Sequence, residues 1–383
     1  MQQDGRAPLV RSLEPGYEHR VMGAPSRQLV RLLGLDRGEV RSLVESLGEP
    51  AYRGDQVFGW IHAKGVVDPG AMTDLPMEFR ARLAGAVDLA APPVVSRLDA
   101  DDGTVKLAIE LHDGYRVESV IIPREDPEGE EDAGLTLCVS TQVGCRVGCR
   151  FCRSGREGFR RNLDATEIVA QLAAARSIAG ASRVKRIVFM GIGEPLDNYE
   201  ALARSIRILT DAKGAAMAPR RIVVSTVGRI EGMRRLGEDF GGRVGLAVSL
   251  HAADPGVRSA LVEARGMPSP DEIARAARAY PVGPRGRVTI EVVLVRGVNS
   301  SPAQAGRLAA LLGGLRCRVN LIPLNPFDGL DLEPPGPAEV ERFQERIGRT
   351  GIRCLVRRRR GAPILASCGQ LAFGGGRSRK DRG

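Results

Sequence analysis

The chain has 383 residues, 43% of them apolar, and a formal net charge of +10, enough length for one large domain beside a small one. No apolar run reaches the ~18 residues of a membrane helix, the N-terminal stretch lacks the apolar segment of a signal peptide, and an odd count of seven cysteines does not make a secreted disulfide framework. Membrane and secreted classes are thereby excluded, and a reducing cytoplasm is the expected setting.

Residues 1–26 are polar and aperiodic and are expected to be a disordered tail. Residues 27–92 carry helical spacing and form a small helical module. Leu29, Leu32 and Leu33 make one stripe; Val40, Leu43 and Leu47 make the next. A further helix spans Tyr52 to Ala63, and Thr73 is placed to cap a last one running to Leu83. Past Pro92 the pattern alternates. Val94–Leu98, Thr104–Leu111 and Tyr115–Ile122 are separated by Asp102-Gly103 and Asp113-Gly114, pairs that favour tight hairpins. Residues 93–134 therefore read as a β-hairpin extension.

From 135 to 357 strands and helices alternate. Strands are expected at Thr136–Ser140, Arg186–Met190, Arg221–Ser225, Gly245–Ser249, Thr289–Val295 and Arg318–Ile322. Helices fall at Ala165–Ile178, Tyr199–Thr210, Pro302–Leu312 and Ala338–Ile347. Six such units predict an α/β fold with a parallel sheet, whose sites gather at the C-terminal strand ends. Residues 358–373 form a terminal segment and 374–383 a second, basic tail. The positive charge is nearly all arginine, with lysine present five times. Arginine forks suit phosphate, so nucleic acid is a natural partner; an arginine-biased composition gives the same excess. Arg357 to Arg360 are consecutive, a run whose ordinary place is a solvated edge.

The most informative motif is Cys145-x3-Cys149-x2-Cys152, just after the first strand of this series. Three thiolates on one short loop can hold three corners of a cubane iron–sulfur cluster, leaving one iron open, whereas a structural cluster takes four cysteines. Zinc and chance register are the competing explanations. The surrounding LTLCVSTQVGCRVGCRFCRSGREGFRRNL, Leu135 to Leu163, resembles the cluster loop of radical S-adenosylmethionine enzymes, and within them the RlmN/Cfr group of RNA adenine methyltransferases. The resemblance implies a partial (β/α)6 barrel. It also implies a [4Fe-4S] cluster whose open iron takes S-adenosylmethionine, the source of a 5′-deoxyadenosyl radical, with a flavodoxin-like protein as electron donor and a monomeric enzyme.

The same resemblance assigns site residues by position. Gly193 and Glu194, in Gly191-Ile192-Gly193-Glu194-Pro195, would meet the methionyl end of S-adenosylmethionine. Ser225, Ser249-Leu250-His251 and Asn325, all at strand ends, would contact the rest of it. Alone, each such residue is as well explained by a cap or turn. Cys368, in Ala-Ser-Cys-Gly-Gln-Leu, would carry a methyl group as S-methylcysteine. Cys138 would resolve the cysteine–RNA adduct, taking the ring proton and forming a transient disulfide to Cys368. An electrophilic adenine carbon is not methylated directly by a sulfonium, so two cysteines beyond the cluster have a chemical purpose. Glu118 matches the family's general base, although its strand position alone reads as a solvated face. Cys317 and Cys354 lie in apolar runs and read as core.

The implied substrate is carbon 2 of adenosine 2503 in 23S rRNA, with adenosine 37 of tRNA as a second target and carbon 8 methylation as the alternative. Tyr52, Arg53, Phe58, Trp60, His62 and Lys64 match a family segment that accompanies RNA binding. Two segments depart from the family pattern. Ala362 to Ser367 replaces an acidic run before the terminal cysteine, and Glu263-Ala264-Arg265-Gly266 replaces Pro-Ile-Asn. Both bear on target choice more than on chemistry.

Overall fold

The computed structural model describes residues 29–124, 134–180, 183–264, 266–284 and 286–375. The expected tail at 1–26, the basic stretch from Arg377 to Arg382, and Arg265 lie outside the described residues.

The N-terminal module is helical, with corrections at both ends. The stripe of Leu29, Leu32 and Leu33 is not a helix. Val30–Arg31 pairs in parallel with Val87–Asp88, and Leu32–Gly34 makes a single 3-10 turn. This turn lies so close to the helix Ala165–Ala179 that a Cβ on Gly34 would stand 2.3 Å from Thr166 Oγ1. The helix Arg37–Ser46 starts with a reciprocal capping box between Asp36 and Glu39. The next helix, Ala51–His62, buries Val57, Phe58 and Ile61, each such side chain contributing about 1.5–3 kcal/mol. Thr73 does not cap the last helix, which spans Met77–Ala86 with Pro76 in the cap position. Proline forces the residue before it out of the helical region, so the helix cannot begin earlier.

The remainder is built on one large sheet. Seven parallel strands follow chain order: Leu135–Cys138, Val184–Phe189, Ile222–Thr226, Gly245–Ser249, Val288–Leu294, Cys317–Pro323 and Arg353–Val356. Six helix-bearing connections join them, as the (β/α)6 arrangement requires, and the seventh strand was not anticipated. The helices Ile230–Phe240 and Pro270–Ala279 were also missed; both put charged residues between sparse apolar ones. The hairpin region, Val94–Asp99, Val105–Glu110 and Tyr115–Pro123, continues the sheet antiparallel from its first parallel strand, with Val120 opposite Cys138. Gly374–Gly375, inside the stretch expected to be tail, adds a short pairing onto Tyr115 and Arg116.

Residues 358–373 thus run from the last parallel strand back to the antiparallel edge. Asp102 Oδ2 accepts from Gly361 N at 2.9 Å, and Glu118 Oε2 accepts from Ala372 N at 2.9 Å. Ile364 and Ala366, in the segment that departs from the family's acidic run, are buried in the main core. The substitution to apolar residues there is explained by packing. Cys317 is buried as expected, whereas Cys354 is only half-buried.

Candidate active site

The loop that carries Cys145, Cys149 and Cys152 is held by backbone pairings on both sides. Gln142–Gly144 pairs with Phe159–Asn162 in a small antiparallel hairpin. Gly144 has φ +73°, and a Cβ there would fall 1.8 Å from Gly158 O; only glycine fits. Cys149 bridges to Val262, and Arg150 N donates to Leu261 O at 3.0 Å. The loop is closed from the other side by the terminal segment: Arg153 N donates to Gly369 O at 2.8 Å and Ser154 Oγ to Leu371 O at 2.5 Å.

Cys145, Cys149 and Cys152 all line one cavity, open at its mouth. Burial pushes the Cys145 thiol up to about 12 and those of Cys149 and Cys152 upward too, and the cysteines raise one another further. Three desolvated thiols sharing one cavity need a cationic centre to become thiolates, as a metal provides. Among the described residues no three His, Cys, Asp or Glu side chains stand close enough to enclose a single ion. A cubane makes no such demand, because each thiolate meets a different iron. Three thiols lining one cavity are the donor set that a three-cysteine cluster takes.

The strand-end residues converge on the same space. Gly193, Glu194, Ser225, Ser249, His251, Asn325 and Cys368 all line the cavity; Leu250, expected with them, is buried in the core and does not line it. Gly191 and Gly193 are glycines for packing as much as for a ligand: their Cβ atoms would meet Ser140 and Gln142 at 2.7 Å. Glu194 is buried, and its oxygens accept from Leu196 N at 3.1 Å and Val227 N at 2.9 Å. Burial raises its carboxyl to about 7 against the pull of those N–H groups. His251 has φ +64°, unusual for a side chain with a Cβ. Its Nδ1 accepts from Val293 N at 3.2 Å, and burial with Arg258 nearby lowers it to about 3. The ring is neutral, with its proton on Nε2. Ser225 and Ser249 hydroxyls are 3.3 Å apart.

Cys368 is solvent-accessible through the cavity mouth although protein surrounds it on the other sides. Its carbonyl accepts from Asn325 Nδ2 at 3.0 Å. Cys138 does not line the cavity; it is buried behind the wall, its thiol pushed up to about 12 by burial and by Cys368, with the Met190 N–H and Arg357 opposing. All seven cysteines are free thiols, so no lasting Cys138–Cys368 disulfide is present. Glu118 is neither solvated nor in the cavity. Its Oε1 pairs with Lys106 Nζ at 2.9 Å and its Oε2 holds Ala372 N.

Other corrections concern charge. Arg357 is exposed, as a solvated edge requires, and it also lines the cavity, as do Met190 and Glu291. Glu291 was visible as a lone acid inside an apolar strand, but its facing required the sheet register. In the helical module Phe58 and His62 are core, Arg53 and Trp60 are half-buried, and Tyr52 and Lys64 are exposed; Lys64 Nζ sits 3.3 Å from the Trp60 ring centroid.

Residues 30–88 match the family described as the ribosomal RNA large subunit methyltransferase N-terminal domain, and residues 139–305 match the radical SAM superfamily. A "Dual-specificity RNA methyltransferase RlmN" of Sorangium cellulosum is 43% identical over 88% of this chain and 93% of its own length. One from Syntrophobacter fumaroxidans is 42% identical over 87% of this chain and 95% of its own. The crystal structure of a radical SAM methyltransferase from Sphaerobacter thermophilus is 41% identical, with a TM-score of 0.82, over 89% of this chain and 99% of that one.

Proposed function

The chain belongs to the RlmN family of radical S-adenosylmethionine RNA methyltransferases, and from that premise we propose that it methylates carbon 2 of adenosine 2503 in 23S rRNA and adenosine 37 of tRNA. The observation that carries this reading is the convergence of Cys368, more than 200 residues away in sequence, on the cavity that holds Cys145, Cys149 and Cys152. A radical enzyme acting on a small molecule has no use for a methyl carrier there.

Cys145, Cys149 and Cys152 would hold the cluster, and Gly193, Glu194, Ser225, Ser249, His251 and Asn325 would surround S-adenosylmethionine. When bound, these groups supply the methyl and the one-electron chemistry that activates it. The chain's own residues do the rest. Cys368 Sγ, reachable through the mouth, carries the methyl and links to the ring carbon. Asn325 fixes the Cys368 carbonyl and so the direction of the thiol. Cys138, behind it, takes the proton from the attacked carbon and allows the product to leave. Burial keeps Cys138 protonated in the resting protein, so the charge of Arg357 is needed on its thiolate side. Glu118 contributes by holding the segment that carries Cys368, through Ala372.

Cys368→Ala and Cys138→Ala test this relay. Cys368→Ala keeps its iron but transfers no methyl to RNA. Cys138→Ala stalls after addition and accumulates a covalent protein–RNA adduct that survives denaturation. Methyl transfer at the wild-type rate by Cys368→Ala would refute the assignment, and adduct-free inactivity of Cys138→Ala would remove that residue from the relay.

A further inference from the structure

The strand Val288–Leu294 is buried along its whole length and carries one acid, Glu291. Across the sheet Glu291 lies between Ser249 and Asn320, 4% exposed, in the cavity wall. Its partners all sit on one oxygen: Asn320 Nδ2 donates to Oε1 at 2.9 Å, and Arg357 Nη1 stands 3.9 Å from the same atom. Oε2 is shielded and has no hydrogen-bond partner among the described residues. A desolvated carboxylate oxygen left without a donor is costly, and native proteins seldom leave one empty. A ligand donor is the natural occupant.

Arg357 is the complementary half. It follows the last strand directly, anchored by its backbone N–H to Leu321 O at 2.8 Å. Among the described residues its guanidinium has only the 3.9 Å pair with Glu291 and a 4.0 Å contact to Met190 Sδ, leaving donors to spare. Arg357, Asn325 and Cys368 line both the cluster cavity and a second cavity beside it. Arg357 thus faces both cavities, and Glu291 the first alone. The charges of Arg357 and Glu291 both act on the Cys368 thiol, so the pair belongs to the carrier end of the cavity rather than to the Glu194 end.

We propose that Glu291 and Arg357 read the Watson–Crick edge of the target adenine, the carboxylate accepting from the exocyclic amino group and the guanidinium donating to ring nitrogen 1. This rests on the RNA methyltransferase reading above and adds the residues that choose the base. Enzymes that act on an extruded base recognise that edge by hydrogen bonds. An adenine edge offers a donor beside an acceptor, which a carboxylate beside a guanidinium matches; an oxygen in place of the amino group sets acceptor against acceptor. Nitrogen 1 adjoins carbon 2, so this grip turns the reactive carbon toward Cys368.

The test uses the full-length, cluster-loaded enzyme with S-adenosylmethionine and an RNA hairpin carrying adenosine, purine riboside or inosine at the target position, with binding read by fluorescence anisotropy. Wild type should bind the adenosine hairpin about tenfold more tightly than the purine riboside one, as a specific edge contact provides. In Glu291→Ala that ratio should fall to about one. A purely structural role for Glu291 would weaken both RNAs equally and keep the ratio, overturning the proposal. So would a weaker affinity for S-adenosylmethionine in Glu291→Ala with RNA discrimination intact. If Glu291→Ala does not fold, Arg357→Gln with a 1-deazaadenosine hairpin makes the same comparison, and a wild-type ratio there refutes the pair. A wild-type enzyme that binds no RNA would strike down the underlying reading; one that binds RNA without discriminating would strike down this proposal alone.

Discussion

Acid should loosen the joint between the helical module and the barrel through one side chain, His62. It closes the helix Ala51–His62, 5% exposed, its ring 4.4 Å from that of Phe58. Its carbonyl accepts from Arg176 Nη1 at 2.8 Å, on the barrel helix Ala165–Ala179. Gly214 lies close enough that a Cβ would meet Phe58 at 2.7 Å and His62 at 3.0 Å. Burial, then the charge of Arg176, lowers the imidazole to about 4 from 6.5. The folded state therefore binds fewer protons than the unfolded chain between these values. Stability is fully present above pH 6.5 and falls as the pH drops toward 4. At about 1.4 kcal/mol per unit, roughly 2 kcal/mol is lost by pH 5 and roughly 3 kcal/mol by pH 4. Urea unfolding of wild type and His62→Leu at pH 7.5 and pH 5.0 isolates this contribution, because all other groups titrate in both proteins. The wild type should lose about 2 kcal/mol more than the variant across that interval. Equal losses would refute the reasoning, and with it the buried, neutral state of His62.

Arg161 makes a bidentate pair with the buried Glu167, at 2.7 and 2.8 Å, and also holds Asp113; Arg161→Ala takes the guanidinium from a buried carboxylate and should cost about 3–5 kcal/mol in denaturant unfolding, well above the loss for the exposed Arg234→Ala. Gly144→Ala must push the cluster hairpin apart at Gly158, so the purified protein should remain folded by circular dichroism yet hold less than half the wild-type iron after anaerobic reconstitution. Full iron content in that variant would show that the hairpin does not shape the loop.

Much of this arrangement is legible in one sequence. The strand Gly245–Ser249 and helix Tyr199–Thr210 are where apolar period and flanking polar residues put them, because local alternation and burial there agree. The two Asp-Gly pairs mark real turns, with Asp102 and Asp113 bonding backbone N–H groups two residues on. Resemblance then supplied the strand-end residues, six of which line the cavity with the three cluster cysteines and Cys368. What stayed hidden depends on contacts distant in sequence. Glu118 looked solvated until Lys106 and the terminal segment were seen to cover it. Arg357 is a surface arginine as the run of four suggests, and only the fold shows that it also lines the cavity. Thr73 failed as a cap because Pro76 decides that boundary.

The central claim is tested most directly by nucleoside mass spectrometry of 23S rRNA and tRNA from a bacterial strain lacking its own RlmN-family enzyme and expressing this chain. The account predicts 2-methyladenosine in both RNAs, absent when Cys368→Ala is expressed instead. Recovery of 8-methyladenosine, or of unmodified adenosine from cells holding the soluble, iron-loaded protein, would contradict it.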